Sequence, residues 1–116
     1  MELVNRAAIT VVPKEPYIDW ANGLEQLGVK LTPENQLAPT VYLIEDISEY
    51  LVTDEEVMKR YFKVIFEAEL RAWHRIEDDW PKKRGFKTFA KWFEFTVHSM
   101  VVDIHHDSFV TESFEL

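Results

Sequence analysis

The 116-residue chain contains no cysteine and only three glycines. The absence of cysteine excludes disulfide bonds, thiol catalysis and thiolate metal sites, so side-chain packing has to stabilise the fold. The scarcity of glycine leaves little flexible linker. No apolar run is long enough to cross a membrane, and residues 1–6 lack the charged start and apolar stretch of a secretion signal. These absences predict a soluble protein of the bacterial cytoplasm.

Positive charge is also scarce, because 13 Lys and Arg residues face 21 Asp and Glu residues. The formal net charge of -8 and the isoelectric point near 4.9 disfavour binding to phosphate backbones, whose affinity comes mainly from Lys and Arg displacing counterions. Nucleic acids and anionic membranes are therefore not expected as partners.

Apolar residues, in contrast, are abundant. Hydrophobic residues make up 47% of the chain and aromatic residues 14%, which is too apolar for a disordered protein. A chain of this length can bury about two thirds of its unfolded surface in one core. We therefore expect a single α+β domain over residues 1–116.

Two short segments in the first half are typical of strands. Residues 6–12 are rich in β-branched side chains and are closed by Pro13, and their lack of clean alternation predicts burial on both faces. Residues 40–45 form the second predicted strand. A strand, helix, strand order predicts a right-handed crossover, with the two strands parallel if they share a sheet.

Helical spacing connects these strands. Residues 16–28 have Pro16 near the start and Gly28 as a predicted C-cap. Thr32 followed by Pro33 predicts a further brief helical turn.

A long amphipathic helix follows, beginning at Thr53 with Glu56 three residues later. This spacing is a capping box, in which each side chain can bond the other residue's free backbone amide. At about 100° per residue, one half of the helix is apolar. That half consists of Met58, Tyr61, Phe62, Ile65, Phe66, Ala68, Ala72, Trp73 and Ile76. The helix is therefore expected to pack by one broad face.

Pro81 marks a turn, after which residues 86–93 keep helical spacing and residues 95–104 are dense in β-branched side chains. Residues 105–116 show no period and are predicted to be a tail or an edge extension. The predicted order is β-α-β-α-α-β, with a small three-stranded sheet covered on one face by the helices. The bare face or edge would need cover from a second copy or a partner protein.

Several segments together carry a resemblance. They are Glu69-Leu-Arg-Ala-Trp73, Trp80-Pro81, Phe89-Ala-Lys-Trp92-Phe93 and His98-Ser-Met-Val-Val-Asp103, with Asn5-Arg6-Ala7, Pro13 and Asp19-Trp20 at the start. On these residues the chain resembles a family of small uncharacterised bacterial proteins over nearly its whole length. The resemblance implies a single cytoplasmic α+β domain and adds nothing about activity, cofactor or partner.

Glu69 stands out because its helical angle places it near the middle of the apolar face. Burial without a partner would raise its pKa, so we expect it to meet a tryptophan indole, His98 or an arginine. Glu69 is either a core carboxylate that fixes packing, or a general acid, general base or ligand-binding group. His98 could act with Glu69 as an acid/base pair, or could be a hydrogen-bonded core residue. In an unbroken strand, Asp103 would lie on the face opposite His98.

Two clusters suggest metal binding without satisfying its geometry. In His105-His106-Asp107, adjacent side chains on a strand point apart. The acidic run Glu77-Asp78-Asp79 lacks the spacing of a calcium loop. We expect no metal and no cofactor.

The segment around Pro81 is basic and aromatic. It combines Trp73, Trp80, Lys82, Lys83, Arg84, Phe86, Lys87, Lys91 and Trp92. It could recognise a phosphate or a stacked base, or it could be a solvated helix start with its tryptophans in the core. The candidate binding residues are Trp73, Trp80, Lys83, Arg84 and Trp92.

The sequence thus favours a non-enzymatic protein-interaction or regulatory module, acting through the aromatic turn or an open sheet edge. Its partner would be a second copy, forming a homodimer, or another protein. The alternatives are a small acid/base enzyme using Glu69 and His98, and weak nucleotide or RNA binding at the basic turn.

Overall fold

The computed structural model describes residues 1–24, Leu31 and residues 39–114. The elements in chain order are β1 (Glu2–Val4), β2 (Arg6–Pro13), α1 (Glu15–Gly23), β3 (Thr40–Glu45), α2 (Asp54–Trp73), a 3-10 turn (Glu77–Asp79), α3 (Phe86–Trp92), β4 (Phe93–His98) and β5 (Val101–Asp103). The α+β class and the three-stranded sheet are confirmed. The predicted helix cap at Gly28 and the turn at Thr32 lie outside the described residues.

The main sheet has the order β3-β2-β4, and both of its strand pairs are antiparallel. The predicted parallel relation of the first two strands is therefore wrong. Val11, near the end of β2, lies opposite Thr40 at the start of β3. The connection that contains α1 thus returns to the end of the sheet it left, whereas a parallel pair would require it to cross the full length of the sheet.

A second antiparallel pair, β1 with β5, extends the β2–β4 pair. Ala8 lies opposite His98, whereas Val4 lies opposite Val101, so residues 5–7 face only residues 99–100. One extra residue on one side of an antiparallel pair is the arrangement of a β-bulge. The single strand predicted over residues 95–104 is accordingly divided into β4 and β5, and residues 104–114 contain no helix or strand.

The helices cover one face of the main sheet. On β2, Ala7, Ile9 and Val11 are fully buried beneath them. The core also contains large side chains from every helix and from β4. The most completely buried of these are Tyr17, Met58, Ile65, Phe66, Leu70, Phe89 and Phe93. The predicted coverage by helices is confirmed, and it leaves the opposite face of the sheet open.

Helix α2 begins where the sequence predicts. The Thr53 side chain accepts a hydrogen bond of 3.1 Å from the Glu56 backbone amide. The predicted return bond from the Glu56 carboxylate is not formed. The helix ends at Trp73, and the His74 backbone amide bonds the Leu70 carbonyl. Ile76 therefore lies beyond the helix and is 57% exposed, so its predicted place on the packed face is wrong.

Candidate functional site

Glu69 is buried on the helix side of the sheet, with only 6% of its surface exposed. Its carboxyl group is hydrogen-bonded to the Tyr42 side chain, and the Tyr17 hydroxyl donates to the Glu69 backbone carbonyl at 2.7 Å. Burial raises the pKa of Glu69, and the hydrogen bond from Tyr42 offsets part of that rise. The predicted partners of Glu69 are wrong, since a tyrosine from β3 takes that place.

Tyr17 and Tyr42 complete this buried polar cluster. Burial, followed by the nearby Glu69 carboxylate, raises the pKa of each tyrosine above its ordinary value. Both hydroxyls therefore stay protonated and remain hydrogen-bond donors at neutral pH. In the described part of the chain, no buried side-chain nitrogen or oxygen lacks a partner. The hydrogen bonds of this cluster connect α1, α2 and β3.

His98 lies on the other side of the sheet. It pairs with Ala8, and its Nε2 is 3.2 Å from the Thr10 Oγ1. Side chains alternate between the faces of a strand, so Ala8 and Thr10 face away from the helices that cover Ile9. The structure thus does not bring Glu69 and His98 together. A general acid and base must be within hydrogen-bond reach of the same reacting group, and the sheet separates these two.

The tryptophans of the basic turn pack inward. Trp80 is 3% exposed, and its indole donates to the His74 carbonyl at 2.8 Å. The guanidinium groups of Arg71 and Arg84 lie 5.1 Å and 5.7 Å from the centre of the Trp80 ring. At these distances each cation is attracted to the ring face. The Trp80 ring is therefore buried and in contact with cationic side chains of the protein itself.

Trp73 and Trp92 also act within the fold. The Trp73 indole donates to the Ala21 carbonyl at 3.2 Å, which connects α2 to α1. The half-buried Trp92 ring lies 5.8 Å from Phe66 and 6.3 Å from Tyr17, measured between ring centres. The lysines of the turn, including Lys83, are exposed. The structure thus brings Arg84 onto Trp80, turns the tryptophans of this segment into the fold and leaves its lysines at the surface.

The histidine-rich segment after β5 is exposed. His105 Nε2 and Asp107 Oδ2 are 3.5 Å apart, and the His105 backbone amide donates to Asp103 Oδ1 at 2.9 Å. Over residues 1–24, 31 and 39–114, no group of three or more His, Asp or Glu residues is placed to hold a metal ion.

The most distinctive surface is the open sheet face, which we define by Ala8, Thr10, Val12, Val41, Leu43, Glu94, Thr96 and His98. Val12, Val41 and Leu43 are 43%, 58% and 53% exposed. The face adjoins a shallow cleft of about 310 Å³. Its lining residues are Val4, Leu43, Val101, Val102, Asp103 and Phe109. The exposed side chains of Val12, Val41 and Leu43 are not part of the buried core.

The sequence contained a signal for this surface. The β-branched pattern of residues 6–12 predicted burial on both faces, yet the described structure covers only one. Because the helices cover one face of the sheet, apolar β2 and β3 side chains such as Val12, Val41 and Leu43 stay exposed on the other. The individual residues of the open sheet face could not be predicted from the sequence, because the strand register decides which residues share a face.

Comparisons of the chain with protein-family models, with curated proteins and with solved structures found no match. The resemblance to small bacterial proteins therefore stays a prediction. Among the described residues, the longest helix, α2, is too polar to span a membrane, and no other helix is long enough.

Proposed function

We propose that the protein is a non-enzymatic interaction module that binds a second copy of itself through the open sheet face. The observation that carries the proposal is the exposure of Val41 and Leu43 beside the apolar cleft at Val4 and Phe109. Val102, which is 44% exposed, lines the same cleft. Exposed apolar patches of this kind mark interaction sites on soluble proteins.

Charge supports a second copy as the occupant. Two chains with a net charge of -8 repel each other, so they can associate only where carboxylates are sparse. Among the eight residues that define the open sheet face only Glu94 carries a carboxylate, and Asp103 lies in the adjoining cleft, whereas the first turn of α2 alone carries Asp54, Glu55 and Glu56. A two-fold symmetric contact uses the same patch on both partners, and a β-branched patch with few charges suits sheet-on-sheet packing.

The two alternative functions receive less support. An acid/base enzyme based on Glu69 and His98 would need both groups on one side of the sheet. Base stacking at the basic turn would need exposed aromatic faces, and Trp80 is only 3% exposed.

The test compares Val41→Asp with Val64→Asp by sedimentation equilibrium. Val41 is 58% exposed on the open sheet face, and Val64 is 62% exposed on α2, so each change adds one carboxylate at a similarly exposed valine. We expect a wild-type dimer and a dissociation constant raised at least about 100-fold in Val41→Asp, because an unpaired buried carboxylate costs several kcal/mol.

Val64→Asp is expected to dimerise like the wild type. Circular dichroism checks that both variants are folded. A monomeric wild type at high micromolar concentration, or equal weakening by both substitutions, would contradict the proposal.

A further inference from the structure

A separate cleft lies on the helix side of the protein, between the β3–α2 connection and the first half of α2. Its volume is about 230 Å³. The lining residues are Glu45, Ile47, Tyr50, Val52, Glu56, Val57, Arg60 and Tyr61. Drug-sized ligands occupy pockets of about 300 Å³ or more, so this cleft suits a smaller molecule.

One polar group of the cleft is already neutralised by its neighbours. The Glu45 carboxylate accepts a hydrogen bond from the Arg60 guanidinium, which forms an ion pair, and another from the Tyr61 hydroxyl at 3.2 Å. The pKa of Arg60 is raised by this contact with Glu45, as expected for a stabilised cation. Arg60 is therefore not available to attract an anionic ligand.

Glu56 is different, because it has no ion-pair partner in the described part of the chain. Its backbone amide is bonded to Thr53, its carboxylate does not complete the capping box, and the exposed residue lines the cleft. Asp54 in the same helical turn adds to the negative potential. The cleft thus has one carboxylate whose charge is not matched by the protein.

Apolar and aromatic residues line the same cleft as Glu56. Val57 is 5% exposed, Ile47 is half-buried, and the Tyr50 ring is 63% exposed. Tyrosine rings attract cations through their faces, and a carboxylate next to them adds a charge-assisted hydrogen bond. This combination recognises an ammonium group attached to a small apolar body.

We propose that this cleft binds a small organic amine carrying a single positive charge. The ammonium group is held by Glu56 and the tyrosine rings, and the apolar body contacts Ile47, Val52 and Val57. None of the residues that line this cleft belongs to the eight that define the open sheet face.

The experiment is calorimetric titration of the full chain with phenethylamine, and with phenylacetate as a probe of opposite charge and similar shape. We expect phenethylamine to bind and phenylacetate not to bind. Glu56→Gln should weaken phenethylamine binding at least about tenfold, which corresponds to the loss of about 1.4 kcal/mol. This substitution keeps the Thr53 cap, because the cap uses the Glu56 backbone amide.

Glu55→Gln is the matched control, since Glu55 precedes Glu56 and pairs with Lys59 instead of lining the cleft. We expect its affinity to stay within about twofold of the wild type. Tyr50→Leu supplies a second variant at an exposed position and should also weaken binding. Absence of phenethylamine binding, equal binding of both probes, or equal effects of the two glutamate substitutions would overturn the proposal.

Discussion

The two faces of the main sheet share the same backbone pairing but differ in what covers them. On β2, Val11 is fully buried under the helices, whereas its neighbour Val12 is 43% exposed on the open sheet face. On β3, Ile44 is 6% exposed and Leu43 is 53% exposed. Both faces carry β-branched side chains. The residue types of a strand therefore indicate that a face is suited to burial. Contacts with the helices decide which face is actually buried within one chain.

Aromatic packing stabilises the covered face of the sheet. Phe66 lies 5.6 Å from both Phe89 and Phe93, measured between ring centres, and the Phe89 and Phe93 rings are 5.1 Å apart. Fully burying a phenylalanine side chain stabilises a fold by about 1.5–3 kcal/mol, and tilted ring pairs add to this. The open sheet face has no comparable cluster among the described residues.

The largest loss of stability is expected when Phe66, which packs on the covered face and is 1% exposed, is truncated. We expect Phe66→Ala to lower the free energy of unfolding by about 3–5 kcal/mol, because it removes a large apolar side chain and leaves a cavity. Urea denaturation followed by circular dichroism measures the change. A loss below about 1 kcal/mol would show that the aromatic core is not packed as described.

Adjacent valines give a more closely matched comparison of the faces. Val11→Ala should cost about 2 kcal/mol, because the side chain is fully buried. Val12→Ala should cost less than about 0.5 kcal/mol, as is usual for an exposed position. Urea denaturation of the monomer, in the Val41→Asp background, measures both changes. Equal costs would mean that the two faces are equally covered.

A smaller, pH-dependent effect is expected from the carboxyl group beneath the covered face. Burial raises the pKa of Glu69 in the folded protein above its ordinary value of 4.5. The fold therefore favours the protonated acid, and this contribution is complete below pH 4.5 and is lost as the pH rises through the raised pKa. Relative to Glu69→Gln, the wild type should lose stability over that pH range.

Urea denaturation at a series of pH values measures this difference. Glu67→Gln removes a half-buried carboxylate from the same helix and controls for the change in net charge. If Glu69→Gln and the wild type show parallel pH profiles, the burial of the Glu69 carboxyl group has no energetic consequence.

Local patterns predicted much of the fold. Thr53 caps α2 as expected, because capping depends on residues within one helical turn. Residues 6–12 and 40–45 lie in β2 and β3, since β-branched side chains suit extended backbone. The burial of Glu69 also agrees with its helical angle, although its contact with Tyr42 could not be read from spacing within α2.

Apart from Ile76 and the return bond of Glu56 at the two ends of α2, the errors concern residues far apart in the chain. The antiparallel pairing of β2 with β3 depends on where the connection after α1 returns, which no local pattern encodes. The bulge between the β2–β4 and β1–β5 pairs depends on the register of two distant segments. His98 could be assigned to a face only once its pairing with Ala8 was known.

The sequence by itself determined the absence of disulfides, the acidic charge, the class of the fold and the position of most helices and strands, because composition and short periodic patterns are local properties. The tertiary structure alone decided that Glu69 and His98 lie on opposite sides of the sheet, that Trp80 is enclosed by two arginines, and that one sheet face is left open. These features depend on strand register and on contacts between distant residues, which are selected by the packing of the whole chain.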